Sequence, residues 1–219
     1  AWTALQAMQE KARPALTNMG ADENPRFRAR ALWALAAIKD GAPQAIEKAL
    51  KDEDDNLRAL ALRIARRHAM PIEPLVRRLV TDESALVRRE CAVSLHRVAT
   101  PKAAELWAEL ALQHDGKDRW YLEALGIGEK GNETACFNAW LKKVGDGWKA
   151  PVGRDVVWRS RATKAAGLLA KLVLDPEVPE SEHPRFMRAL DFHSGKSKED
   201  ALATLLLKLD APTEPKKSQ

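Results

Sequence analysis

Apolar residues recur in the first half of the chain with the spacing of a helix and a longer period of thirty residues. Residues 27–38 read FRARALWALAAI, residues 57–68 LRALALRIARRH and residues 87–98 VRRECAVSLHRV. Their shared apolar columns are spaced four, three, one and three residues apart, which is one stripe of an α-helix and not strand alternation. The pattern predicts three equivalent helices with one buried face, and Phe27 and His68 fall in its inward columns.

Shorter helices are predicted between these three, because each connecting segment begins near a proline. The segments are 42–51 (APQAIEKALK), 70–80 (MPIEPLVRRLV) and 100–113, where Thr100 is the expected N-cap. The repeating unit is therefore helix, turn, helix. One such pair cannot bury its own apolar stripe, so stacking of successive pairs predicts an all-α solenoid.

After residue 113 the repeat weakens but continues. Asp155 is expected to cap the helix that follows a Gly- and Pro-containing connection at 145–154. The helices predicted outside the regular repeats are 2–20, 118–128, 133–144, 155–174, 185–193 and 197–210. Together the pattern predicts about six helical pairs. They form one domain over 1–210, regular over 20–113 and degenerate over 114–210, followed by a polar tail at 211–219.

An acidic residue and an arginine mark every regular unit. Asp-Glu opens each copy, and arginine follows the Asp by six residues. An acid at a helix start can accept backbone N–H groups, and an arginine one turn later can fork across to a neighbouring carboxylate. We expect a structural ladder that fixes the stacking register. Its members are Asp22, Arg28, Asp52, Arg58, Asp82 and Arg88.

With Asp in the turn and an apolar residue before the arginine, residues 20–113 resemble HEAT-type repeat proteins, and the chain to about residue 210 resembles them more loosely. The resemblance implies a right-handed, armadillo-like superhelix of stacked α-hairpins, with Asp and Arg bridging neighbouring repeats. It also implies a scaffold or binding surface, because this fold fixes no chemistry. We therefore expect no enzyme activity, no cofactor and no metal site in the chain itself.

Three phrases in the second half carry a narrower resemblance. DRWYLEALGIG, VVWRSRA and RFMRALDF resemble the helical-repeat segment of large PVC-type haem-binding, membrane-bound dehydrogenase-like proteins. There the segment lies between a sugar-dehydrogenase-like propeller and a c-type cytochrome domain. The resemblance implies a spacer excised from an exported, cell-envelope protein whose haem and catalysis lie elsewhere. The signature Cys-x-x-Cys-His and a propeller pattern are absent from this sequence. Without this resemblance, a cytoplasmic location is expected.

Positive charge is concentrated within the regular repeats. Residues 58–97 contain nine arginines, no lysine and four acids. The net charge of this segment is therefore +5, the same as that of the whole chain. Such a face suits an acidic protein or a phosphate backbone. It is equally typical of a solvated helix face.

If the shared columns point inward, the outward positions carry Trp33, Arg63, Arg67 and Arg97 as candidate partner-binding residues. In HEAT-type proteins this second helix lines the concave side. Trp148, in the 145–154 connection, is a further candidate as an exposed anchor. The tryptophans with the helical spacing of core residues are Trp107, Trp120, Trp140 and Trp158.

No phosphate-binding loop, nucleophile elbow or HExxH motif occurs in the sequence. Cys91 and Cys136 lack metal-type spacing and are interpreted as buried thiols, with a disulfide between them left open. The sequence favours a non-catalytic module that binds a protein or neighbouring domains of the same polypeptide. The alternative is a HEAT-like nucleic-acid-binding protein or DNA-repair glycosylase that uses the basic face. No apolar run reaches the length of a membrane helix.

Overall fold

The computed structural model describes Ala4 and residues 7–209, and within this part all regular secondary structure is helical, as the sequence predicts. Three short 3₁₀ turns cover Gln9–Ala12, Gly145–Lys149 and Glu180–Glu182. The α-helices are α1 (Arg13–Met19), α2 (Pro25–Ala36), α3 (Ala42–Ala49), α4 (Asp55–Arg67), α5 (Glu73–Leu79), α6 (Ala85–Ser94), α7 (Pro101–Ala111), α8 (Arg119–Gly128), α9 (Glu133–Val144), α10 (Pro151–Arg159), α11 (Thr163–Leu174), α12 (His183–Leu190) and α13 (Lys196–Leu209).

These helices form two layers. The even-numbered helices pack side by side, because each of α2, α4, α6, α8 and α10 contacts the next even-numbered helix. The odd-numbered helices form the second layer, in which α5 contacts α7, α7 contacts α9 and α11 contacts α13. Six hairpins followed by α13 make the described part of the chain an α-solenoid. The predicted fold class is therefore confirmed.

A continuous apolar core lies between the two layers. Its largest fully buried side chains include Trp107, Phe137 and Trp140 of α7 and α9. The predicted inward positions that are buried include Ala31, Leu35, Leu57, Ala61, Ile64, Val87, Cys91 and Leu95. The periodic stripe thus predicts the core of the regular repeats correctly.

Two residues of the inward columns are exposed, and Val98 is partly buried. Phe27 is 40% exposed, because it lies in the first turn of α2, which has no earlier even-numbered neighbour in the described chain, and the Arg30 guanidinium lies 5.9 Å from its ring. His68 is exposed because α4 ends at Arg67 and the histidine already occupies the C-cap. The prediction that these two side chains are inward was wrong.

Helix starts follow local capping chemistry. The side chains of Asn24, Asp54 and Asp118 accept backbone N–H groups at the first turns of α2, α4 and α8. Thr100 Oγ1 accepts the N–H of Ala103 at 3.0 Å, so the predicted N-cap of α7 is confirmed. The helix predicted over 2–20 instead has a 3₁₀ turn before α1, with the proline of α1 in its first turn.

The helix predicted over 155–174 is two helices. Helix α10 begins at Pro151, so Asp155 lies inside it and is not its N-cap, and the chain is extended at Ser160 before α11. The break has partners of its own: Glu129 accepts the Ser160 hydroxyl and the Arg161 backbone N–H, both at 2.8 Å. These bonds replace those that a continuous helix would make.

The predicted tail, 211–219, lies outside the described residues, as do parts of the predicted helices 2–20 and 197–210. Among the helices that the structure describes, none combines the length and the apolar character that crossing a membrane requires.

Candidate interaction surface

The arginines of the regular repeats join consecutive hairpins. Arg28 donates through Nε and Nη2 to the two carboxylate oxygens of Asp52, at 3.0 and 2.8 Å. Arg58 forks onto Asp82 in the same way, at 2.7 and 2.9 Å. Nη1 of Arg58 also donates to two backbone carbonyls of its own turn, at 3.2 and 2.8 Å. Each of the two arginines therefore connects two successive turns.

The acids of these pairs are held in their ionised form. Burial works to raise the pKa of Asp52, but the Arg28 guanidinium and the Asp54 N–H outweigh it, and the pKa is lowered. At Asp82, burial again works to raise the pKa, but the Arg58 guanidinium outweighs it and the pKa is lowered. Both carboxylates are therefore charged at neutral pH.

The predicted ladder changes at both ends. The carboxylate of Asp22 accepts the N–H of Asn24 at 2.8 Å and faces no arginine of an earlier repeat in the described chain. Position 112, where the next acid would fall, is Leu112. Arg88 therefore donates to backbone carbonyls of its own turn, and its guanidinium lies 5.7 Å from the ring centroid of Tyr121.

Beyond this gap, a second group of polar side chains connects the later hairpins. The Tyr121 ring stacks on His114, with centroids 6.1 Å apart. His114 Nε2 lies 3.3 Å from an oxygen of Asp155, and Arg185 donates to the other oxygen at 2.7 Å. Asp155, which was predicted as a cap, thus connects the turn before α8 with α12.

Arg154 repeats the geometry of the ladder, although the sequence pattern missed it. Nη1 of Arg154 donates to the carbonyl of Lys149 at 2.9 Å, and its other nitrogens fork onto Glu182 of the next hairpin. The available signal was a proline at the helix start three residues before the arginine, which α10 shares with α2. The signal was missed because the turn before α10 contains Gly and Trp in place of the Asp-Glu of the regular repeats.

The predicted outward arginines Arg63, Arg67 and Arg97 are all exposed. Arg63 is engaged with Glu90, at 2.8 Å, and Arg66 donates to the same carboxylate at 2.7 Å. Arg67 has no ion-pair partner among the residues that the structure describes. Glu90 of α6 is therefore shared by two arginines of α4.

The two tryptophans predicted as binding residues are only partly exposed. Trp33 packs against the core. Trp148 also packs against it, in the 3₁₀ turn before α10, and a Cβ added to Gly153 would lie only 2.6 Å from its Cα. Trp148 is held between α9 and α10 by this close approach. Trp148 is thus less exposed than the sequence analysis expects of an anchor, and its role in binding a partner stays a prediction.

Trp120 is the exposed tryptophan that the sequence interpretation placed in the core. It is 73% exposed in the first turn of α8, and Ile127, two turns later, is 43% exposed. In the thirty-residue register, Ile127 falls in the same column as Arg67 and Arg97, and Trp120 lies two turns before it on α8. Extended by one more repeat, the outward columns reach α8.

A cleft of about 440 Å³ opens where α8 ends against the break between α10 and α11. We call it the α8–α10 cleft. Glu129, which is 1% exposed, forms its floor. The remaining lining residues are His96, Gly126, Ile127, Lys130, Glu133, Arg159 and Arg161.

The two arginines of the α8–α10 cleft are already partly engaged. Arg159 donates to Glu123 at 2.9 Å, and Arg119 donates to the same carboxylate at 2.8 Å. Arg161 donates through Nη1 to the last carbonyls of α10, and its guanidinium lies 4.6 Å from the ring centroid of Phe192. Burial, and then repulsion by Arg159, lower the pKa of Arg161.

The floor of the cleft carries a carboxyl group with a shifted pKa. Burial raises the pKa of Glu129 to about 7, against the opposing effects of the Arg161 N–H and the Ser160 hydroxyl. At neutral pH a substantial fraction of this group is therefore neutral. The cleft holds more positive than negative charge.

Cys91 and Cys136 are both buried free thiols, so no disulfide joins them. Burial raises the pKa of the Cys136 thiol to about 12 and also raises that of Cys91. Within the described residues, no group of three or more His, Cys, Asp or Glu side chains is placed to hold a metal ion.

The two helical layers and the arginines that bridge successive turns define an α-solenoid protein. Residues 43–126 match the family model described as HEAT repeats, a segment that runs from α3 into α8. This part of the chain is thus similar to HEAT repeats, which are commonly protein-interaction scaffolds and generally non-catalytic. No curated protein and no solved structure matches the chain.

Proposed function

We propose that residues 1–210 form a non-catalytic HEAT-type scaffold whose even-numbered helices present a protein-binding surface. The observation that carries this proposal is Trp120, which is 73% exposed on a helix packed between α6 and α10. Exposed tryptophan and arginine on a rigid support are the residues that dominate the binding energy of protein interfaces. Arg67 and Arg97 extend this surface toward the earlier repeats.

The finer part of the proposal concerns the source of the partner. The resemblance of three phrases in the second half supports a spacer of a larger, exported dehydrogenase-like protein, with neighbouring domains as partners. The sequence of the parent reading frame tests this part. A propeller and a c-type cytochrome domain on either side would support it, and their absence from the parent would contradict it.

The binding surface is tested by site-specific photo-crosslinking. A photoreactive phenylalanine analogue replaces Trp120 on the outward face and, in a control variant, replaces the exposed Gln44 of α3 in the other layer. We expect crosslinks to one defined segment of a neighbouring domain or partner only from position 120. Excess wild-type chain should compete, and a Trp120→Ala chain should compete poorly. Equal crosslinking from both positions would contradict the proposal.

Nucleic-acid binding is the alternative, and the exposed arginines without carboxylate partners are the observation that favours it. It predicts binding to duplex DNA that weakens steeply with salt, because phosphate contacts release counterions. A glycosylase would in addition excise a damaged base. Salt-dependent DNA binding together with excision would replace the scaffold proposal.

A further inference from the structure

We propose that the α8–α10 cleft binds a carboxylate side chain of an acidic segment in a partner protein, while an apolar side chain of that segment packs on Trp120 and Ile127. The inference rests on the proposed protein-binding function and names the chemistry of the partner. It follows from the charges in the cleft, from the apolar side chains beside it and from the distance between them.

Charge is the first argument. Lys130, Arg159 and Arg161 line the cleft, and the positive charges of Arg159 and Arg161 repel each other. Glu123 accepts hydrogen bonds from two arginines and does not line the cleft. The acids that line it are Glu129, which forms the floor, and Glu133. An anion in the cleft relieves the repulsion between the guanidinium groups, and a carboxylate matches their planar fork.

The neighbouring apolar side chains are the second argument. Ile127 is both an exposed side chain and a wall of the cleft. Trp120 lies seven residues earlier on the same helix, about 10 Å along its axis. On the other side, Phe192 is 61% exposed beneath the Arg161 guanidinium. An extended peptide covers about 10 Å with three residues, so one segment can reach both the cleft and the tryptophan.

The carboxylates on this face favour an acidic peptide over nucleic acid. Glu90 of α6 and Glu123 of α8 each accept from arginines, and Glu133 of α9 lines the cleft. A continuous phosphate backbone would pass close to these acids, and like charges repel it. A peptide can instead place single carboxylates at the cationic positions and apolar side chains between them.

Fluorescence anisotropy tests the inference with a labelled synthetic peptide that alternates glutamate and leucine. The control probes are the same peptide with glutamine for glutamate and a single-stranded oligonucleotide of equal charge. We expect the glutamate peptide to bind and the glutamine peptide to bind at least about tenfold more weakly, which corresponds to about 1.4 kcal/mol. Equal binding of the two peptides, no binding of either, or tighter binding of the oligonucleotide would each overturn the inference.

Matched variants locate the site. Lys130→Glu reverses an exposed charge in the wall of the cleft, and Lys102→Glu makes the same change on the exposed surface of α7 in the other layer. We expect Lys130→Glu and Trp120→Ala each to weaken binding of the glutamate peptide several-fold and Lys102→Glu to leave it unchanged, with unaltered thermal melts. Equal effects of the two lysine variants would overturn the assignment to this cleft.

The result is separable from that of the crosslinking experiment. Crosslinks from position 120 without binding of the glutamate peptide would overturn the acidic-segment inference and leave the scaffold proposal standing. Absence of specific crosslinks would contradict the scaffold proposal itself.

Discussion

At the scale of single residues, Arg58 shows how the array holds its register. Its side chain lies between two turns, donates to carbonyls of one and forks onto the carboxylate of the other. Asp82 is largely shielded from water, so the loss of the arginine would leave a poorly solvated charge. The cost of such a change comes mainly from the carboxylate left without its partner, and less from the attraction that is lost.

We therefore expect Arg58→Ala to lower the free energy of unfolding by about 1–3 kcal/mol. The matched control is Arg78→Ala, because Arg78 pairs with Glu47 at 2.6 Å but both side chains are well exposed to water. Exposed pairs contribute about 0–1 kcal/mol, so the control should change little. Urea unfolding followed by circular dichroism measures both variants, and an equal effect of the two would contradict a structural role for the ladder.

Glu129 gives a prediction for pH dependence. Its folded pKa of about 7 lies above the ordinary value of 4.5, so the folded chain binds a proton that the unfolded chain releases between these values. Its contribution to stability is full below pH 4.5 and is lost as the pH rises through about 7. Glu129→Gln should remove this loss and gain about 1–3 kcal/mol over the wild type between pH 5 and pH 8. If the free energy of unfolding of the two proteins changed with pH in the same way, this role of Glu129 would be ruled out.

At the scale of helices, a glycine of α8 allows this helix to pack closely against α6. A Cβ added to Gly128 would lie 2.2 Å from the carbonyl oxygen of Ala92, a backbone atom that cannot move aside cheaply. Gly167, in the middle of α11, has no atom within 4 Å of the same added Cβ. One glycine therefore fixes the distance between two helices, and the other only lowers helix propensity.

Replacing each glycine by alanine should change stability in opposite directions. Gly128→Ala is expected to destabilise the protein by about 1–3 kcal/mol through overpacking against α6. Gly167→Ala is expected to stabilise it by about 0.5–1 kcal/mol through better helix propensity. Thermal melts decide the matter. A stabilised Gly128→Ala protein would show that α6 and α8 can separate without cost.

The existence and type of the helices could be predicted from the sequence, because the apolar stripe is a local pattern. The break at Ser160 could not, because the carboxylate that stabilises it is Glu129, at the C-cap of a helix distant in the sequence. The exposure of Trp120 was missed for a related reason. Helical spacing shows that a residue shares a face with others, but only the neighbouring helices decide whether that face is covered.

At the scale of the whole molecule, the described chain is a linear array in which each hairpin contacts mainly its neighbours. Each of α4, α6, α8 and α10 contacts two even-numbered neighbours, whereas α2 and α12 each contact one, so an interior hairpin is supported from both sides and a terminal one from a single side. The two largest fully buried side chains, Trp107 and Trp140, lie in α7 and α9, whereas Leu206 and Leu207 of α13 are exposed. Stability in such arrays is approximately a sum of repeat and interface contributions.

This arrangement predicts a gradient of local stability along the chain. Native-state hydrogen exchange followed by mass spectrometry should show the strongest protection in peptides from α6 to α9 and decreasing protection toward α1 and α13, because terminal hairpins can open without breaking two interfaces. Arg58→Ala should increase exchange most in α4, which carries Arg58, and in α6, which follows the turn of Asp82, and least in α11 and α13. Uniform protection, or a loss that spreads equally over all helices, would mean that the solenoid unfolds as one cooperative unit and not repeat by repeat.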